Sequence, residues 1–71
     1  MRPHGDYIRL RRQALKMSLG TVSALTGINK GHLSRVERGL AGLGDDYTHL
    51  LAEVLDVPPI DITHDTPKEK T

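Results

Sequence analysis

Two short helical patterns joined by one glycine turn constrain this chain more than any other feature. Ser18 is a favoured helix-capping residue, and Leu19, Val22 and Leu25 follow it at helical spacing. Gly20 weakens that stretch by about 1 kcal/mol relative to alanine. Gly27 comes next, where a left-handed backbone can end a helix without a Cβ clash. Asn29 then caps a second stretch, Lys30–Arg38, which Gly39 closes. Helices this short are marginal in water alone. They must pack on each other across the turn, and on further elements.

Those elements are helical too, because extended alternation of polar and apolar residues is scarce. A first helix is expected over about Asp6–Lys16, with Asp6 as its cap and with Ile8, Leu15 and the stem of Arg11 or Arg12 on one face. Leu10 does not fit that stripe. After the glycine-rich connection at 39–44, Tyr47, Leu50, Leu51, Val54 and Leu55 fall on one helical stripe, with Asp45 or Asp46 as cap. Pro59 can open a short fifth helix whose Ile60 and Ile62 pack back. The expected fold is all-α, a compact bundle of four to five short helices. Residues 1–5 form an N-terminal arm, 6–62 the domain, and 63–71 a polar, frayed tail.

A stretch of 71 residues is enough for one small domain, and no ligand sensing is expected within it. With two tyrosines and no Phe or Trp, its core must be aliphatic. The lack of cysteine excludes disulfides and thiolate metal sites and fits a reducing cytoplasm. No apolar run approaches membrane-spanning length. The net charge of +1 hides a strong asymmetry. Residues 1–40 carry eight Lys/Arg against Asp6 and Glu37, giving +6, while residues 41–71 carry Lys68 and Lys70 against seven acids, giving −5. A polyanion is the partner that suits the first half.

At about 100° per residue, Leu33, Val36 and Glu37 share one side of the 30–38 helix. Gly31, Ser34, Arg35 and Arg38 share the other, with Lys30 and His32 on the flanks. Glu37 is the odd member of the inner side, since a carboxylate beside a core needs a cation. Arg12, on the inner side of the first helix, is the best candidate. A helix, a tight glycine turn and a steeply crossing second helix make a helix-turn-helix unit. The stretch "SLGTVSALTGINKGHLSRVERG" (residues 18–39) resembles the motif of the lambda-repressor-like (XRE) family of DNA-binding domains. Arg12 and Glu37 match the pair that this family buries. "LLAEVLDVPPIDI" resembles its fourth helix and the start of its fifth. The likeness spans about residues 7–62. Three positions depart from the family: Leu19 where glutamine often contacts phosphate, Ser23 where alanine is usual, and Gly31 where a base-reading side chain often sits.

The resemblance implies a transcriptional regulator, a repressor, that reads the major groove of a double-stranded DNA operator with the helix at residues 30–38. Lys30, Gly31, His32, Ser34 and Arg35 are then the candidates for base contact, with Arg35 suited to guanine and Gly31 permitting close backbone approach. Ser18, Leu19, Asn29 and Arg38 are the candidates for phosphate contact, aided by free N–H groups at the start of the helix after Ser18. The family also implies a homodimer, formed at least on DNA. Leu55, Val57, Ile60 and Ile62 are an apolar surplus at the C-terminal end that suits such an interface. Two rivals use the same fold. One is an antitoxin whose other surface or tail holds a toxin or another regulator. The other is a protein-interaction module without DNA binding, for which Leu19 and Gly31 speak. No enzyme is expected, and no cofactor: His4, His32, His49 and His64 are scattered, and His49 with Glu53 offers too few ligands for a metal.

Overall fold

The computed structural model describes residues 4–63. In chain order these form α1 (Gly5–Ala14), α2 (Leu19–Thr26), α3 (Lys30–Glu37), α4 (Asp45–Leu55) and a closing 3₁₀ turn (Pro59–Ile62). No strand occurs among the described residues, so the all-α expectation holds. Helix α2 packs on α3 and α4. Helix α1 lies across α3 and α4, and the 3₁₀ turn seals α4 and α1 from the far end.

The glycine turn forms as its sequence dictates. Gly27 ends α2 in the left-handed region at φ 80. The Asn29 side chain accepts hydrogen bonds from the N–H groups of Gly31 and His32, and Ser18 accepts one from Thr21. The Ser23 hydroxyl donates across the turn to the Ile28 carbonyl. A serine where alanine is usual therefore gives the turn a bond that alanine could not.

Two helix faces are rotated from their expected registers. On α4 the buried residues are Thr48, Leu51, Ala52 and Leu55, whereas Tyr47 and Leu50 of the expected stripe are exposed and Val54 is half-buried. On α2, Thr26 is buried and Leu25 exposed. The cause is the same in both. Thr48 donates its hydroxyl to the Gly44 carbonyl, and Thr26 donates to that of Val22. A threonine with its hydroxyl spent on its own helix packs much like a valine. Counted as polar, it misplaces the stripe.

The ends of the bundle also differ from expectation. Helix α1 begins at Gly5 rather than Asp6, and its N-cap is His4 with no side-chain cap bond. The His4 N–H donates to the Ile62 carbonyl at 2.7 Å, so the helix start is tied to the last turn of the fold. Helix α1 stops at Ala14, which leaves Leu15 exposed. Gly44, not Asp45 or Asp46, is the α4 N-cap. Within the expected arm, Gly5 belongs to α1; residues 1–3 lie outside the described residues. Within the expected tail, Thr63 is buried; residues 64–71 lie outside the described residues.

Leu55 and Ile62, expected at a dimer interface, are fully buried in the core of their own chain. They close the space between α1, α4 and the 3₁₀ turn, so neither can meet a second copy. Of the expected set, Ile60 is 45% exposed and Val57 is half-buried.

One ion pair joins three elements. Arg12 on α1 donates from Nε to Glu37 Oε2 at 2.7 Å and from Nη2 to Glu37 Oε1 at 3.0 Å. Its Nη1 donates to the Met17 carbonyl at 2.9 Å, just before α2. The side chains are 13% and 5% exposed. The Glu37 hydrogen bond and charge raise the Arg12 pKa above its ordinary value, against the opposing effect of burial. A second arginine, Arg11, donates to the Leu55 carbonyl at the end of α4.

Gly5 lies where α1 meets the end of α3. A Cβ there would stand 2.5 Å from the Val36 carbonyl oxygen and 2.6 Å from that of Glu37. No side chain can give way, because the obstacle is backbone.

Three substitutions test this packing by urea unfolding. Gly5→Ala should cost about 1–3 kcal/mol, the usual range for overpacking. Arg12→Met strands the Glu37 carboxylate and should cost about 3–5 kcal/mol, and adding Glu37→Leu should recover much of that loss. An Arg12→Met midpoint equal to the parent's would show that the pair holds nothing together.

Candidate nucleic-acid interface

The surface of interest is the side of α3 turned away from the core. Leu33 and Val36 are fully buried and Glu37 is neutralised by Arg12. Opposite them, Lys30, Gly31, Arg35 and Arg38 are exposed, and Ser34 is half-buried. The expected division of the helix into two sides is therefore present. Three cations stand on the outer side with no acid of α3 beside them, because its one acid is folded inward.

His32 is placed differently from the other candidates. Its ring is half-buried, and Nε2 donates to the Gly42 carbonyl at 2.9 Å. The ring thus fastens α3 to the loop before α4, rather than standing free on the helix. Arg38 leans back along its own helix, its Nε donating to the Ser34 carbonyl at 3.4 Å. Asn29 is exposed but holds the helix start, its oxygen accepting at 2.8 and 3.3 Å.

The start of α2 supplies a second cluster. Ser18 is exposed, with its hydroxyl 3.0 Å from that of Thr21. The side chain of Leu19 packs against the core, so its contribution outward is the backbone N–H. N–H groups in a first turn have no partner within the helix and favour an anion. Ser18 meets one of these needs at Thr21.

Sequence reasoning missed Tyr47. It is exposed, and with Leu43 and Gly44 it lines an open groove whose other wall is Gly27, Ile28, Asn29, His32 and Arg35. Tyr47 thus shares this groove with His32 and Arg35 of α3. The missed signal was Thr48: once that residue is taken as a core position, Tyr47 turns outward. Among the described residues no three metal-ligating side chains converge, and no helix is long and apolar enough to cross a membrane.

Comparison with known proteins finds the same fold in several solved structures. Among solved structures, the restriction-modification controller protein C.AhdI from Aeromonas hydrophila is similar at 29% identity and TM-score 0.77, over 82% of this chain and 88% of that one. SinR in complex with DNA, described as the master regulator for biofilm formation, is similar at 28% identity and TM-score 0.74, over 79% of this chain and 90% of that one. SinR comes from Bacillus subtilis. The P22 c2 repressor in complex with a synthetic operator shares the fold at TM-score 0.83 and 22% identity, over 90% of this chain and 97% of that one. No curated protein sequence matches. The family model for the helix-turn-helix domain matches residues 5–64, and with the lambda-repressor-like architecture of these structures the chain belongs to the helix-turn-helix domain family.

Proposed function

We propose that this chain is a sequence-specific DNA-binding regulator of transcription, a repressor, that lays the outer face of α3 in the major groove of its operator. The observation that carries this reading is the division of α3. Its apolar residues and its one carboxylate are sealed inside, while Lys30, Ser34, Arg35 and Arg38 remain on the face a groove would meet. A helix fits the major groove, where arginine can give guanine two parallel hydrogen bonds. Lys30 and Arg35 are assigned to bases, with Ser34 and the backbone at Gly31 beside them. His32 contributes by fixing the loop before α4, beside the base-reading residues. Ser18, the N–H of Leu19, Asn29 and Arg38 are assigned to phosphates, which set the register of the helix on the duplex. This is a binding role without catalysis, in a cytoplasmic setting.

The relatives are regulators by their descriptions: a controller protein, a biofilm regulator seen with DNA and a repressor seen with an operator. The operator-bound form is proposed to be a two-fold dimer. Val57 and Ile60, beside the 3₁₀ turn, supply the apolar surface, while Leu55 and Ile62 support it from within. With Leu55 and Ile62 withdrawn into the core, the apolar contact at this end is small, so pairing of free copies is weak and DNA that holds both copies close strengthens it.

Selection from a random duplex library followed by affinity measurement tests the reading of bases. Arg35→Ala should cost about 1–3 kcal/mol on the selected site and relax the preference at one base position. An equal loss on every sequence would make Arg35 a phosphate contact instead. Titration of a palindromic site tests assembly. Two copies per duplex are expected, and Ile60→Asp should lower the affinity for the palindrome while leaving binding to a single half-site in place. One copy per duplex, or no effect of that substitution, would mark a monomeric binder.

A further inference from the structure

The second residue of α3 is a glycine, a poor helix former, at a position facing out of the domain. Its surroundings explain the choice. A Cβ built on Gly31 would stand 3.1 Å from Asn29 Oδ1 and 3.6 Å from Arg35 Nη1. Residues four apart are neighbours on a helix surface, and helical side chains lean toward the N-terminus. The Arg35 side chain does so here, and its guanidinium lies over the first turn of α3, where a side chain at position 31 would otherwise stand.

The two neighbours of that space differ in freedom. Asn29 Oδ1 is held by the N–H groups of Gly31 and His32 and caps the helix. Arg35 Nη1 is the end of a long, exposed side chain. A Cβ alone would press on the cap at 3.1 Å and stand in ordinary contact with Arg35 Nη1 at 3.6 Å, whereas a longer side chain lying toward position 35 would compete with the guanidinium for that space. We propose that Gly31 is a positioning residue for Arg35: by carrying no side chain it lets the guanidinium reach the groove-entering end of α3, and so sets which base pair this arginine reads. The inference rests on the DNA-reading function proposed above. It gives that function a specificity element made of two residues, one supplying the donors and the other supplying the room.

The test is a set of four proteins: the parent, Gly31→Gln, Arg35→Ala and the double variant. Each is measured on the parent's selected site and passed through a new selection. Gly31→Gln should weaken binding about tenfold or more and change the preferred base at the position Arg35 reads, the range expected when a bidentate base contact is lost. In the Arg35→Ala background the same change should weaken binding only about twofold or less, because residues acting together are not additive. Gly31→Ala, whose Cβ meets the guanidinium only in ordinary contact, should keep the parent's base preference, and Gly31→Glu, of the same reach as glutamine, decides the matter by its preferred base should melting show that Gly31→Gln unfolds. An equal loss in both backgrounds, or a base preference unchanged by the longer side chain, would overturn the proposal and leave Gly31 a matter of capping or backbone approach. A parent that selects no sequence would overturn the DNA reading itself. A parent that selects a site which Arg35→Ala selects equally would leave that reading intact and remove only the role of Arg35 and with it that of Gly31.

Discussion

The pairing of Arg12 with Glu37 is the interaction on which the rest of this domain depends. Its two parallel hydrogen bonds fix α3 on α1, and the third, to the Met17 carbonyl, fixes the chain just before α2. One guanidinium thus orients both helices of the helix-turn-helix relative to the helix beneath them. A salt bridge that is largely buried is weak evidence for stability but demanding in geometry, since a lone buried charge is costly. What the pair supplies here is orientation. It also removes the single acid of α3 from the outer surface, which leaves that surface to Lys30, Arg35 and Arg38.

Around this pair the small core is closed by contacts that end on backbone groups. Gly5 lets α1 rest on the carbonyls of Val36 and Glu37, and the His4 N–H joins the Ile62 carbonyl. Arg11 holds the end of α4. A chain of this length cannot bury many large side chains, and its core of ten residues is entirely aliphatic. Close approach and terminal hydrogen bonds do the work that aromatic rings do in larger cores. Besides Gly27 after α2, the other three helices also run into a left-handed residue, at Lys16, Gly39 and Asp56. The N–H groups that follow, of Met17, Leu40 and Val57, turn back to carbonyls near the helix ends.

Much of this was legible because its signals are local. Ser18, Gly27 and Asn29 act within three residues of themselves, so their identities alone place α2, the turn and α3. The faces of α3 were legible because Leu33 and Val36 are strongly apolar and Arg35 is not. The faces of α2 and α4 were not, because Thr26 and Thr48 hide their hydroxyls in their own helices. Gly5, His4 and Arg11 were not legible either. Each acts on backbone more than thirty residues away, and no pattern in the sequence announces such a contact. The same limit explains Tyr47 and the loop bond of His32. Both depend on how the 39–44 connection folds against α3. Of the four residues expected at a dimer interface, Leu55 and Ile62 were claimed by the core, because apolar character alone does not tell inner from outer surplus.

In the proposed function, the face of α3 opposite the Arg12–Glu37 pair, together with the start of α2, is the surface that meets DNA. The most direct measurement follows the backbone amide resonances of the labelled protein as a mixed-sequence duplex is added at low salt. The largest shifts are expected at residues 18–21 and 29–38, with Leu51 and Ala52 in the core of α4 nearly still. Shifts confined to α4 and the 3₁₀ turn, with those two segments silent, would contradict it.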